Sequence, residues 1–170
     1  MKGRIVRKTV LLLLVGLMNA VPYAHADSVS PKVAIEHGFA VPTEVAWRAL
    51  GRFCSISKWQ SLVTDCTVEE RKDGIYRFVG MRDGSAFTER LEEYSTANHA
   101  FTYSMVTGPL PVKNYRSELR LVPAGPRQTK LVWKAWYSVP PGGHEEAIAT
   151  DLKALFGNGI KGMATLLEAQ

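Results

Sequence analysis

The sequence predicts an α+β domain in which an antiparallel sheet of sequence-adjacent strands is covered by a long C-terminal helix. Three observations carry this expectation. Six strand-like stretches follow one another between Cys66 and Val139 with only turn residues between them, and antiparallel neighbours need nothing longer than a tight turn. A seventh such stretch, Val33–Val41, stands ahead of two short helical segments. An amphipathic stripe then runs from Glu145 to Glu168. No crossover helices separate the strands, so a parallel α/β sheet is excluded.

Taken in order, the chain begins with Lys2, Arg4, Arg7 and Lys8, an apolar run from Val10 to Leu17, and Ala24-His25-Ala26. A basic start, a short apolar stretch and a small-x-small site are the parts of a secretory signal peptide. The run is short for a membrane span, and no later stretch reaches the roughly 20 apolar residues a transmembrane helix needs. No cysteine follows closely enough to take a lipid, and no arginine pair marks the twin-arginine route. The expectation is cleavage after residue 26 and a soluble periplasmic or secreted domain over residues 27–170, without a stable membrane anchor. Four of the 21 basic residues and none of the 16 acidic ones precede the cut, so the net charge falls from +5 to +1. Nucleic-acid binding thereby loses its electrostatic support.

In the domain itself, Val33, Ile35, His37, Phe39 and Val41 alternate with smaller or polar residues, the period of a strand. His37, in phase with Phe39, reads as a core histidine rather than a base. Pro42-Thr43-Glu44 opens a helix whose Ala46, Ala49, Leu50 and Phe53 share a side, with Trp47 next to them. A second helical turn holds Ile56 and Trp59. The strands that follow are Cys66–Arg71, Ile75–Arg82, Ser85–Tyr94, Ala100–Thr107, Val112–Pro123 and Thr129–Val139, punctuated by Asp73-Gly74, Asp83-Gly84 and Ala124-Gly125-Pro126. After Pro140-Pro141-Gly142-Gly143, Ile148, Leu152, Leu155, Phe156, Ile160, Met163 and Leu167 recur at helical spacing. Only the sheet is large enough to cover that stripe.

Cys54 and Cys66 stand twelve positions apart in a chain expected to reach an oxidising compartment, which favours a disulfide between them. Two buried thiols are the alternative, since sequence does not give the Cα separation a bridge needs. His37, His99 and His144 are scattered without ligand spacing, so no metal and no cofactor is expected. Gly157-Asn158-Gly159-Ile160-Lys161-Gly162 fits the dinucleotide fingerprint by letter, yet it lies inside the last helix and follows no strand. Its glycines suit close helix packing or a bend instead.

Two strands alternate cleanly. Tyr115, Ser117, Leu119 and Leu121 face inward against the polar set Asn114, Arg116, Glu118 and Arg120; Leu131, Trp133, Ala135, Tyr137 and Val139 form the next inner face. Glu89 is in phase with Phe87 and Leu91, and Tyr103 with Phe101 and Met105. A carboxylate on an apolar face is costly unless it is paired or reaches water in a cavity. The hairpin at Asp83-Gly84 decides which. A two-residue turn would set Arg90 opposite Arg77; a three-residue loop, Arg82-Asp83-Gly84 with Gly84 left-handed, sets Glu89 opposite Arg77. The second avoids facing like charges. It puts Ile75, Arg77, Val79 and Met81 on one face with Phe87, Glu89 and Leu91, both charges entering a cavity as a pair.

Thr88-Glu89-Arg90-Leu91 and Asn114-Tyr115-Arg116-Ser117 resemble, at similar spacing, two motifs of the plant abscisic-acid receptors, and Gly108-Pro109-Leu110-Pro111 resembles the bacterial polyketide cyclase/dehydrase-like branch of the same START-like (SRPBCC) superfamily. The resemblance spans nearly all of residues 27–170. It implies a helix-grip fold, the seven-stranded sheet holding the last helix around an internal pocket, with Glu89, Tyr115 and Ser117 as polar cavity residues and Asn158 as a fourth. Where the receptors carry a lysine for a ligand carboxylate this chain has Thr64, so no acidic ligand is implied. The gate loop is shortened to Arg82-Asp83-Gly84-Ser85, and phosphatase regulation does not carry over.

The residues expected at a ligand are therefore Trp59, Arg77, Glu89, Tyr103, Leu110, Tyr115, Ser117, Trp133, Phe156 and Asn158. Trp47, Trp59, Trp133 and Trp136 each read as core before they read as ligand contacts. The leading expectation is an exported, non-catalytic protein that holds a small, mostly apolar molecule, because the polar inner residues are few and set among aromatics. One alternative is a cyclase, dehydratase or isomerase in which Glu89 works as general acid or base beside Tyr115. The other is an accessory protein that meets a periplasmic oxidoreductase through the Pro109–Pro111 loop.

Overall fold

The computed structural model describes residues 30–169; the expected signal peptide and its cleavage site lie outside them. The elements run β1 (Val33–Phe39), α1 (Thr43–Leu50), α2 (Ile56–Trp59), β2 (Val63–Arg71), β3 (Gly74–Met81), β4 (Ala86–Ser95), β5 (Ala100–Thr107), β6 (Lys113–Gly125), β7 (Gln128–Ser138) and α3 (Glu145–Glu168). The seven strands form one antiparallel sheet in the order β1-β7-β6-β5-β4-β3-β2. Each strand from β2 to β7 thus lies beside its sequence neighbour, and β1 closes on the last strand. The fold is α+β and of the helix-grip kind.

The expected faces hold. Tyr115, Ser117, Leu119 and Leu121 are buried, as are Leu131, Trp133, Ala135 and Tyr137, and α3 lays Ile148, Leu152, Phe156, Ile160, Met163 and Leu167 against them. Leu152 and Met163 are entirely removed from solvent, each contributing roughly 1.5–3 kcal/mol of apolar burial. Two of the α3 glycines permit the approach to α2. A Cβ on Gly162 would lie 1.6 Å from the Trp59 carbonyl oxygen, and one on Gly159 would meet the rings of Trp59 and Trp133.

Several boundaries differ from the sequence expectation. α1 ends at Leu50 rather than near Phe53. There the Ser55 hydroxyl donates to the Leu50 carbonyl and accepts the Trp59 indole N–H, so a side chain from the following segment satisfies the helix end. β2 begins at Val63, before Cys66, because a bulge between Val63 and Asp65 extends the ladder with β3. β1 stops at Phe39. His37 is exposed on this edge strand, its ring 5.0 Å from that of Phe39, and is not a core histidine. The Cys54–Cys66 disulfide is formed, with Cα atoms 5.6 Å apart; it ties the segment between α1 and α2 to β2.

Candidate ligand cavity

Gly84 sets the geometry of the site. Its φ of +83° is the left-handed conformation that glycine adopts without cost. The Met81 N–H to Ser85 carbonyl bond closes the three-residue loop over Arg82-Asp83-Gly84. β3 and β4 then pair as Ile75 with Leu91, Arg77 with Glu89 and Val79 with Phe87, the arrangement expected from the sequence. On β6 a bulge between Lys113 and Arg116 carries Asn114 at φ +53°. Asparagine tolerates that region, and the extra residue lets Tyr115 turn inward while Asn114 bonds the Ser138 hydroxyl.

Between the sheet and the helices lies a cavity of about 40 Å³. Ile56 and Gln60 close it from the α2 side and Leu155 and Phe156 from α3. The sheet contributes Val63, Val79, Met81, Phe87, Glu89, Tyr103, Met105, Tyr115 and Trp133, and the β5–β6 loop adds Leu110. The volume suits a few waters; pockets that hold drug-sized ligands run to roughly 300–1,000 Å³. Larger contents therefore require the wall to part. In one part of that wall Trp133 and Phe156 stack with centroids 3.9 Å apart and planes within 8°.

Of the residues expected at a ligand, Glu89, Tyr103, Leu110, Tyr115, Trp133 and Phe156 line the cavity. Arg77 does not. It is 2% exposed and sits behind Glu89, with Nε 2.5 Å from Oε2, Nη1 donating to the Phe53 carbonyl, and the guanidinium over the rings of Phe53 and Tyr103 at 4.3 and 4.6 Å. Only the carboxylate of the pair reaches the cavity, because the arginine's long stem folds its head between two aromatic faces. Ser117 lies one layer behind, accepting the Trp133 indole N–H at 3.0 Å and donating to the Lys134 carbonyl at 2.7 Å. Trp59 packs edge-on against Trp133, outside the lining. Asn158 faces away and accepts the Ser61 hydroxyl at 3.0 Å.

The cavity also contains residues the sequence reading did not nominate. Val79, Met81 and Phe87 were placed on the correct face by the hairpin register, so their signal was present. Gln60 had none: its Nε2 donates to the Leu155 carbonyl at 3.0 Å, a contact 95 positions away in sequence. Burial is the first cause that holds the Tyr103 phenol above its usual ionisation range, and the Glu89 charge adds to it. Burial raises Tyr115 further, with Tyr103 and Glu89 contributing. Both phenols are neutral hydrogen-bonding groups at neutral pH. Among the described residues no three His, Cys, Asp or Glu side chains come together as a metal site, and no helix is long and apolar enough to cross a membrane.

The model of a family described as polyketide cyclase/dehydrase and lipid transport matches residues 30–168. This chain belongs to that family. Solved structures with the same fold include the Bacillus cereus protein XoxI, 20% identical with a TM-score of 0.72 over 79% of this chain and 94% of that one. An uncharacterized protein from Bacillus thuringiensis is 23% identical with a TM-score of 0.71, over 79% and 97%. The Zhui aromatase/cyclase from a Streptomyces species is 15% identical with a TM-score of 0.61, over 79% and 90%. The family member described here keeps the sheet, the gripping helix and an interior cavity between them.

Proposed function

We propose that this family member is an exported binding protein that holds a small, mostly apolar molecule in the cavity beneath α3. The observation that carries the reading is the state of Glu89. It is the cavity's carboxylate, and its Oε2 already accepts a charge-assisted bond from Arg77, so it is better placed to orient a ligand than to deliver a proton. The rest of the lining is largely aliphatic and aromatic, with Gln60, Tyr103 and Tyr115 as further polar points, the pattern of a site that selects by shape and a few hydrogen bonds. Export rests on the basic and apolar N-terminal segment and fits the disulfide.

Native mass spectrometry on protein taken from the periplasm, together with apolar ligand titrations followed by the fluorescence of Trp133, tests the reading. Retained or titratable ligand supports it; repeatedly empty preparations with no fluorescence response overturn it. A mature N-terminus other than Asp27 would overturn the assigned cleavage site.

A second reading is favoured by the convergence of Glu89, Tyr103 and Tyr115 on one cavity: a cyclase, dehydratase or isomerase in which Glu89 exchanges a proton with bound substrate. A Glu89→Gln variant that binds ligand but loses turnover supports this second reading. Equal turnover removes it. The accessory role is disfavoured by Leu110, which turns from the exposed Pro109 and Pro111 into the cavity; undiminished partner recovery after replacing residues 109–111 by Gly-Ser-Gly would end it.

A further inference from the structure

Apart from the cavity, with which it shares no lining residue, a groove of about 490 Å³ runs between the end of α1, the turn into α2 and the last turns of α3. Arg48, Arg52 and Lys58 line it, Ala49 and Leu166 supply apolar wall, and Cys54 is part of its surface. Among the described residues no carboxylate side chain lines it, and none of the three cations joins an ion pair. Arg48 stands in the last turn of α1 and Lys58 in that of α2, where a positive charge is favoured by the helix dipole. The dipole accounts for those two positions taken singly. It does not account for three cations, none of them ion-paired among the described residues, converging on a groove that Cys54 lines, while Cys66, on β2, lines neither the groove nor the cavity.

We propose that this groove is the site at which a small anionic thiol of the glutathione class exchanges with the Cys54–Cys66 disulfide, entering at Cys54. The attacking thiolate forms a bond to the Cys54 sulfur. The Cys54–Cys66 bond breaks, and its electron pair leaves on Cys66 as a thiolate. The carboxylates of the entering molecule rest against Arg48, Arg52 and Lys58, which hold the mixed disulfide. A second thiolate attacks the non-protein sulfur, releasing oxidised thiol and the Cys54 thiolate. Two electrons pass from two thiols to the protein disulfide.

The test compares reduction of the intact, oxidised protein by glutathione with reduction by cysteamine, a cationic thiol, each rate divided by its thiolate concentration. The wild type is set against the triple variant Arg48→Gln, Arg52→Gln, Lys58→Gln, whose folding is checked by circular dichroism. Exposure alone moves both thiols together, whereas charge moves them apart. The expected result is a glutathione preference that drops roughly tenfold in the variant and likewise in the wild type at 0.5 M salt, with the first adduct on Cys54 by peptide mass spectrometry. An unchanged rate ratio, or an adduct on Cys66, overturns the proposal.

Discussion

Arg77 and Glu89 face each other across the β3–β4 ladder, Nε 2.5 Å from Oε2, with 2% and 10% of their side chains exposed. A charge pair this deep is held less by its own attraction than by the groups around it: the Phe53 carbonyl takes a second guanidinium bond, and two aromatic faces cover the cation. Removing either partner strands the other. Arg77→Met is expected to cost about 3–5 kcal/mol in urea unfolding, and Arg77→Met with Glu89→Leu much less. A single variant that loses under about 1 kcal/mol would show that the pair is not an obligate unit.

Gly162 and Gly157 lie on the same helix in opposite surroundings. A Cβ at Gly162 runs into the Trp59 backbone, whereas one at Gly157 meets nothing within 4 Å. Gly162→Ala should destabilise by about 1–3 kcal/mol through overpacking, and Gly157→Ala should stabilise by up to about 1 kcal/mol through helix propensity. Shifts of the thermal midpoint in the same direction for both would contradict this account of the α2–α3 contact.

The disulfide closes a chain segment of twelve positions, which in the chain-entropy view stabilises by roughly 3 kcal/mol. Replacing both cysteines by serine should lower stability by that order. Hydrogen exchange should also quicken locally at residues 53–56, which include the Phe53 carbonyl partner of Arg77 and the cavity residue Ile56. Exchange that quickens uniformly along the chain would argue against a local tether.

Tyr103 and Tyr115 both have folded-state ionisation raised above the ordinary tyrosine range, burial being the first cause in each. A raised folded value gives stability that is fully present below the unfolded pKa of about 10 and is lost as pH climbs from there through the folded values. On alkaline titration the phenolate absorbance of these two residues should therefore rise together with unfolding. Their variants Tyr103→Phe and Tyr115→Phe should remove part of the step. A gradual rise near pH 10 in a protein that stays folded would refute it.

The two-residue and 3.6-residue periods of the sequence determined the element types, the inner faces of β6 and β7 and the stripe of α3, because one-sided burial leaves a periodic mark on each element. Gly84 went further: one residue able to take positive φ specified the loop, the loop specified the β3–β4 register, and the register placed Arg77 opposite Glu89. Only the tertiary structure decided what each inward side chain meets. Arg77 withdrew behind Glu89 because Phe53, from another segment, offers it a carbonyl and a ring; Asn158 turned to Ser61, and Gln60 reached the cavity by bonding Leu155. Those contacts join residues separated by 24 to 97 positions. They depend on the distance and angle at which helix and sheet pack, and no periodicity within a single element encodes them.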